Sequence, residues 1–139
     1  WTPARQMQNY PMLKELNATR RNIPAILKVI LKRGFGNTID EVIGAAKYLK
    51  NVNELYICER GVNTFDRKED MRWRLDCLGI AELKAKGFKV IADVSHSTGD
   101  RVYVLPMALA AMGAGAYGIM VECRENPEES WSDKNNALI

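Results

Sequence analysis

A short apolar run, a polar loop and an amphipathic stretch follow one another repeatedly along this chain, and that alternation limits its possible folds more than any other feature. The runs are Pro24 to Leu31, Glu54 to Cys58, Phe88 to Ala92 and Tyr117 to Val121. Each is apolar almost throughout, as expected of strands covered on both faces of a parallel sheet; Lys28 interrupts the first. Thr38 is the expected N-cap of a helix, with Glu41 completing a capping box and Val42, Ala45, Ala46 and Leu49 at helical spacing behind it. Met71, Leu75, Leu78 and Leu83 form a second stripe, ended by Gly87. Val104 to Met112 forms a third, ended by Gly113 and Gly115. Pro127 opens a fourth helix with Asn126 as its expected cap, and Met7 to Leu16 has helical character as well.

Strand and helix alternating in this way predict βα units on a parallel sheet, an α/β fold. Two architectures satisfy the pattern: part of a closed (β/α)₈ barrel, or a small doubly wound open sheet. The 139 residues suit one domain, residues 1–139, and no low-complexity linker divides them. The net charge of +3 is spread over basic residues interleaved with acids, without the dense stripe of a nucleic-acid binder. No apolar run is long enough to cross a bilayer, so neither nucleic acid nor membrane is an expected partner. Cys58, Cys77 and Cys123 are an odd, scattered set without a CxxC pair, expected to be buried free thiols in a reducing cytoplasm. The chain opens on Trp1 and closes on Ala137-Leu138-Ile139, and both ends are expected to be cut.

The chemistry collects where the apolar runs stop. The first ends in Lys32-Arg33-Gly34, the second in Glu59-Arg60-Gly61, the third in Asp93-Val94-Ser95-His96 and the fourth in Glu122. In a parallel sheet these ends share one face, where α/β enzymes build their sites. Each residue also has a plainer role open to it. Lys32-Arg33 could be a solvated pair, Arg60 could pair with Glu59, Glu122 with Arg124, and Asp133 could cap a last helix. His96, the single histidine, stands among Ser95, Ser97, Thr98 and Gly99 with a site role and a plain surface role about evenly balanced. Taken together, Arg5, Lys32 and Arg60 are cations suited to phosphate and carboxylate oxygens. His96, Glu122 and Asp133 are nitrogen and oxygen ligands of the kind that hold a divalent transition metal. A metal beside an anion site suggests activation of a carbonyl next to a phosphorylated substrate.

Arg5-Gln6-Met7-Gln8-Asn9, Lys32-Arg33-Gly34, Cys58-Glu59-Arg60-Gly61 with Thr64-Phe65, Asp93-Val94-Ser95-His96-Ser97, and Glu122 with Asn126-Pro127-Glu128 and Ser132-Asp133 follow one another in order. Through almost its whole length the chain resembles the 3-deoxy-7-phosphoheptulonate (DAHP) synthase family. The resemblance implies a partial (β/α)₈ TIM barrel, approximately strands 5 to 8 with their helices. It also implies an aldol-type condensation of phosphoenolpyruvate with erythrose 4-phosphate, releasing phosphate, at the first step of the shikimate pathway. By the same resemblance Arg5, Lys32 and Arg60 would bind phosphoenolpyruvate, and Lys32 and His96 would take part in catalysis. His96, Glu122 and Asp133 would be three of four ligands to a divalent ion, Mn²⁺ or similar, with Arg33, Glu59 and Asp93 in support. The family's cysteine ligand and its Lys-Pro-Arg-Thr segment have no counterpart in this sequence. Val94 stands where the family usually has proline, and Arg67 to Gly79 departs from its usual helix. The related 3-deoxy-octulosonate 8-phosphate synthase family shares the CERG motif but usually has Lys-Lys-Gly where this chain has Lys32-Arg33-Gly34.

Half a barrel would expose strand edges at the runs from Pro24 and from Tyr117. The chain is therefore expected to associate with the missing N-terminal half or with itself as a homo-oligomer. A non-catalytic half-barrel that binds anions or metal and mediates assembly is the alternative of another class.

Overall fold

The computed structural model describes residues 1–19, 26–65, 73–129 and 134–138. Within them run α1 (Tyr10–Thr19), β1 (Lys28–Lys32), α2 (Ile39–Ala46), β2 (Glu54–Glu59), α3 (Cys77–Ala85), β3 (Lys89–Asp93), α4 (Val94–Thr98), α5 (Val104–Gly113) and β4 (Gly118–Met120). The four strands form one parallel sheet in the order β1-β2-β3-β4. Consecutive parallel neighbours joined by helices are the repeating unit of a (β/α)₈ barrel, and the sheet lacks the strand-order reversal of a doubly wound fold.

The register fixes which side chains share a face. Lys32 pairs with Cys58 and Cys58 with Ile91, so Lys32, Cys58, Ile91 and Asp93 point to one face. On that face Lys32 Nζ of β1 reaches Asp93 Oδ2 of β3 at 3.5 Å, over the intervening β2. Side chains of alternate strands meeting in one layer are the mark of a barrel interior. Lower on the same face Glu54 lies 2.9 Å from Lys28 and 3.8 Å from Lys89. The opposite face carries Val29, Leu31, Ile57, Val90 and Ala92, buried in one cluster with Val42, Ala45, Leu49, Ile80, Leu83, Val104 and Ala111 from the helices. Burying each large member of that cluster contributes about 1.5–3 kcal/mol, and this face holds the helices to the sheet.

Local signals explain several boundaries. The Thr38 side chain accepts from the Glu41 amide while Glu41 accepts from the Thr38 amide, the reciprocal cap expected at the start of α2. Gly87 closes the turn after α3 at φ 87°, a conformation costly for residues with a side chain. The helix from Val104 runs to Gly113 as expected.

Other expectations need correction. The first strand begins at Lys28, and Ile26 and Leu27 precede it: the Leu27 amide donates to the Asn53 side chain and its carbonyl accepts from the Asn53 and Glu54 amides, which anchors the entry to the strand without extending the ladder. Pro24 and Met71 lie outside the described residues. The second helix starts at Cys77 with Asp76 as its cap, which leaves Leu75 before the helix, and Leu78 is exposed. At the N-terminus a short 3-10 turn, Ala4–Gln6, precedes α1, so the helix starts at Tyr10 rather than Met7. Pro127 opens a single 3-10 turn, Pro127–Glu129. All three cysteines are free, but only Cys58 is buried; Cys77 is half-buried and Cys123 exposed, because Cys123 follows β4 rather than lying in it.

The strand edges are also less bare than expected. Thr2 bridges Leu31 in parallel, its amide donating to Ile30 O at 2.9 Å and its hydroxyl accepting from Lys32 N at 3.3 Å. Beyond β4, Cys123 bridges Leu138, whose amide donates to Glu122 O at 2.9 Å. Single bridges occupy the ends nearest the site and leave the rest of each edge unpaired among the described residues. No helix among them is long and apolar enough to cross a membrane.

Candidate active site

Lys32, His96 and Glu122 line one cavity of about 400 Å³ together with Trp1, Met120 and Val121. Each arrives by a strand end: Lys32 closes β1, His96 sits in the short helix after β3, and Glu122 follows β4 by two residues. The parallel sheet thus converges three of the anticipated residues without any of them being near another in sequence.

Asp93 organises this cavity. Its side chain is buried, and Oδ1 accepts from the His96 amide at 3.2 Å while lying 2.9 Å from His96 Nδ1. Oδ2 faces Lys32 Nζ. Burial by itself would raise the Asp93 carboxyl, but the hydrogen bonds and charge of His96, with the charge of Lys32, hold it below the ordinary carboxylate value. A carboxylate on Nδ1 fixes the imidazole so that Nε2 is the nitrogen left to ligate or to carry a proton. Glu122 lies 3.2 Å from Arg124, the plainer pairing open to it, and its amide donates to Ser95 Oγ at 3.0 Å.

The residues named in support form a second layer. Arg33 is buried, not solvated, and its Nη1 lies 2.8 Å from both Glu59 Oε2 and Asp76 Oδ2 while Nε donates to Asn37 O at 2.9 Å. Glu59 therefore pairs with Arg33 rather than with Arg60, and its other oxygen accepts from the Gly61 amide at 2.7 Å. Burial pushes the Glu59 carboxyl up, against the pull of Arg33 and the Gly61 amide. Asp76 was not anticipated as part of this layer, although an aspartate directly before an apolar helix is a legible N-cap. The network ties the ends of β1 and β2 to the start of α3, holding the strand end that carries Lys32 and the loop that carries Arg60.

Not every anticipated residue joins the cavity. Arg60 is buried beside the Phe35 ring, its Cζ 5.6 Å from the ring centre. Arg5 is exposed in the N-terminal 3-10 turn and does not line the cavity. Asp133 lies outside the described residues. Among the described residues no group of three or more histidine, cysteine, aspartate or glutamate side chains gathers as a metal site. His96 and Glu122 nonetheless supply a nitrogen and an oxygen donor to one cavity, with a carboxylate already behind the histidine. That donor chemistry fits a divalent transition ion.

The family model of the DAHP synthetase I family matches residues 2–139. A phospho-2-dehydro-3-deoxyheptonate aldolase of Thermotoga maritima is 35% identical over 138 residues, an alignment covering 97% of this chain and 38% of that protein. A 2-dehydro-3-deoxyphosphooctonate aldolase of Acidovorax sp. (strain JS42) is 31% identical over 114 residues, covering 73% of this chain and 39% of that protein. The crystal structure of the Thermotoga maritima DAHP synthase matches 98% of this chain and 39% of its own at a TM-score of 0.87 and 34% identity. A truncated form of 3-deoxy-D-arabino-heptulosonate 7-phosphate synthase from the same organism matches at 0.85 and 34%, covering 98% of this chain and 50% of its own. The chain thus spans about two fifths of the length of the curated relatives it matches. By family match, sequence identity and the partial-barrel fold, the chain belongs to the DAHP synthetase I family.

Proposed function

We propose that this chain supplies the phosphoenolpyruvate-binding and metal-binding part of a DAHP synthase site, and that the completed site condenses phosphoenolpyruvate with erythrose 4-phosphate. The observation that supports it best is the convergence of Lys32, His96 and Glu122 on one cavity at the C-terminal ends of parallel strands. Lys32 and Arg60, with Arg5, would take the phosphate and carboxylate of phosphoenolpyruvate. Lys32, poised against Asp93, would exchange a proton with the reacting substrate. His96 through Nε2, Glu122 and Asp133 would hold a divalent ion such as Mn²⁺, whose chemistry there is polarisation of the aldehyde carbonyl. Arg33, Glu59 and Asp93 would keep these groups in place.

The proposal treats residues 1–139 as one partial-barrel domain. Four strands leave inner-face groups such as Lys28 and Lys89 partly exposed, so the barrel would be completed by an N-terminal portion or by self-association. Free thiols at Cys58, Cys77 and Cys123 are consistent with a reducing cytoplasm. The likeness to the Acidovorax 2-dehydro-3-deoxyphosphooctonate aldolase supports a second reading, in which the aldehyde is a five-carbon sugar phosphate.

The test measures phosphate release from phosphoenolpyruvate with Mn²⁺ and either erythrose 4-phosphate or arabinose 5-phosphate, alongside His96→Ala and Arg60→Ala. Release that needs erythrose 4-phosphate and is lost in His96→Ala is the expected result. Release with arabinose 5-phosphate alone would select the second reading. A protein that binds phosphoenolpyruvate equally well with and without Arg60 would overturn both.

A further inference from the structure

Arg60, the cation on the loop after β2, has an unusual neighbourhood. The Phe35 ring, from the loop after β1, lies beneath its guanidinium at 5.6 Å. Phe35 is in turn stacked on Trp73, from the segment before α3, with ring centres 4.3 Å apart and planes 4° from parallel. The backbone clamps this arrangement. Val62 N donates to Arg74 O at 2.8 Å and Arg74 N to Val62 O at 3.1 Å, while Asn63 N donates to Phe35 O at 2.7 Å. Gly61 adopts φ 92°, and a Cβ there would come within 2.6 Å of Trp73 Cβ, so the indole segment sits directly on the residue after Arg60.

We propose that Phe35 and Trp73 are positioning residues that orient the Arg60 guanidinium for phosphoenolpyruvate, Phe35 as the aromatic face beneath it and Trp73 as the wall that keeps Phe35 in place. This rests on the assignment of Arg60 as a substrate cation made above. Arginine is held over an aromatic face by attraction to the ring quadrupole, which strengthens as water is excluded, and Arg60 is buried. A flat support leaves the edge of the guanidinium, with its forked donors, directed at the anion. The Glu59 carboxylate next to it is already occupied by Arg33, so it does not draw Arg60 away from that role. The β1–α2 and β2–α3 loops meet in the stack, and its contribution falls on substrate binding rather than on the bond-forming step.

The test is a KM and kcat comparison on the full protein, with phosphoenolpyruvate and its aldehyde partner varied separately. Phe35→Leu keeps an apolar filling and removes the ring face. It is expected to raise the KM for phosphoenolpyruvate about five- to tenfold, to leave kcat within about twofold, and to leave the aldehyde KM unchanged. Phe35→Tyr should restore the KM, and Trp73→Leu should reproduce the Phe35→Leu effect at smaller size while Trp73→Phe does not. If Phe35→Leu and Trp73→Leu both leave the phosphoenolpyruvate KM unaltered while Arg60→Ala raises it, the positioning role is wrong and the substrate role of Arg60 stands. If Arg60→Ala itself has no effect on phosphoenolpyruvate, the substrate role fails and the positioning role fails with it. Parallel losses in kcat and in both KM values, tracking a fall in thermal midpoint, would reduce the stack to a structural element and also overturn the proposal.

Discussion

Asp93 Oδ1 lies 2.9 Å from His96 Nδ1, and the same buried carboxylate faces Lys32 through its other oxygen. One side chain at the end of β3 thus sets both the ring orientation of the histidine and the position of the lysine. Removing the carboxylate should disturb both without removing either.

Asp93→Asn is expected to weaken Mn²⁺ binding about 10- to 100-fold, the usual effect of losing the carboxylate behind a ligating histidine. Titration of the metal by calorimetry or by electron paramagnetic resonance measures it. An unchanged affinity would mean that His96 is not a ligand.

Arg33 sits between two carboxylates, and Glu59 has no comparable access to water. Arg33→Met is expected to cost about 3–5 kcal/mol in urea unfolding at neutral pH, because a buried carboxylate is left without its cation. Glu59 already has its carboxyl raised by burial. A group raised in the folded state contributes stability that is complete at low pH and is lost as pH rises through its folded value. The variant should therefore be closer to wild type at pH 5 than at pH 8, and an equal deficit at both would contradict the account.

The Glu41 carboxyl is held below its ordinary value, first by the Thr38 amide and then by the side chains of Asn37 and Gln8. A depressed carboxyl stabilises above the unfolded value and loses that contribution as pH falls through the folded one. Carbon-detected NMR titration should find Glu41 among the more acidic glutamates. Asn37→Ala and Gln8→Ala should each return it part of the way toward the ordinary value, whereas Thr38→Ala, which keeps its amide, should leave most of the depression in place while the lost cap destabilises the protein by about 1 kcal/mol.

Burial pushes the Cys58 thiol up to about 12, whereas Cys123 is exposed. At pH 8 only about one Cys58 in ten thousand is a thiolate, so alkylation should mark Cys123 first and Cys58 only on unfolding. Mass spectrometry after a brief iodoacetamide pulse distinguishes the sites. Early labelling of Cys58 would show that the barrel layer formed by Lys32, Cys58 and Asp93 opens readily.

Several elements were legible because their deciding contacts are local, although the Asp76 cap of α3, equally local, was missed. The capping box spans three residues, the helix from Val104 is read from its own periodicity, and Gly87 marks its turn by itself. The strand ends named Lys32, His96 and Glu122 because parallel strands deliver their ends to one face, a consequence of topology that alternation already implies. What only the tertiary structure decided involves partners far apart in the chain. Arg33 becomes a buried hub because Glu59 and Asp76, 26 and 43 residues away, are carried to it by the β1–β2 pairing and the start of α3. Asp93 reaches Lys32 over 61 residues because the sheet curves. Phe35 and Trp73 stack because two loops are clamped at Val62 and Asn63. Periodicity and capping record energies within a turn or a strand, whereas the choice of a charge's partner depends on which distant groups the packed sheet brings within reach of it.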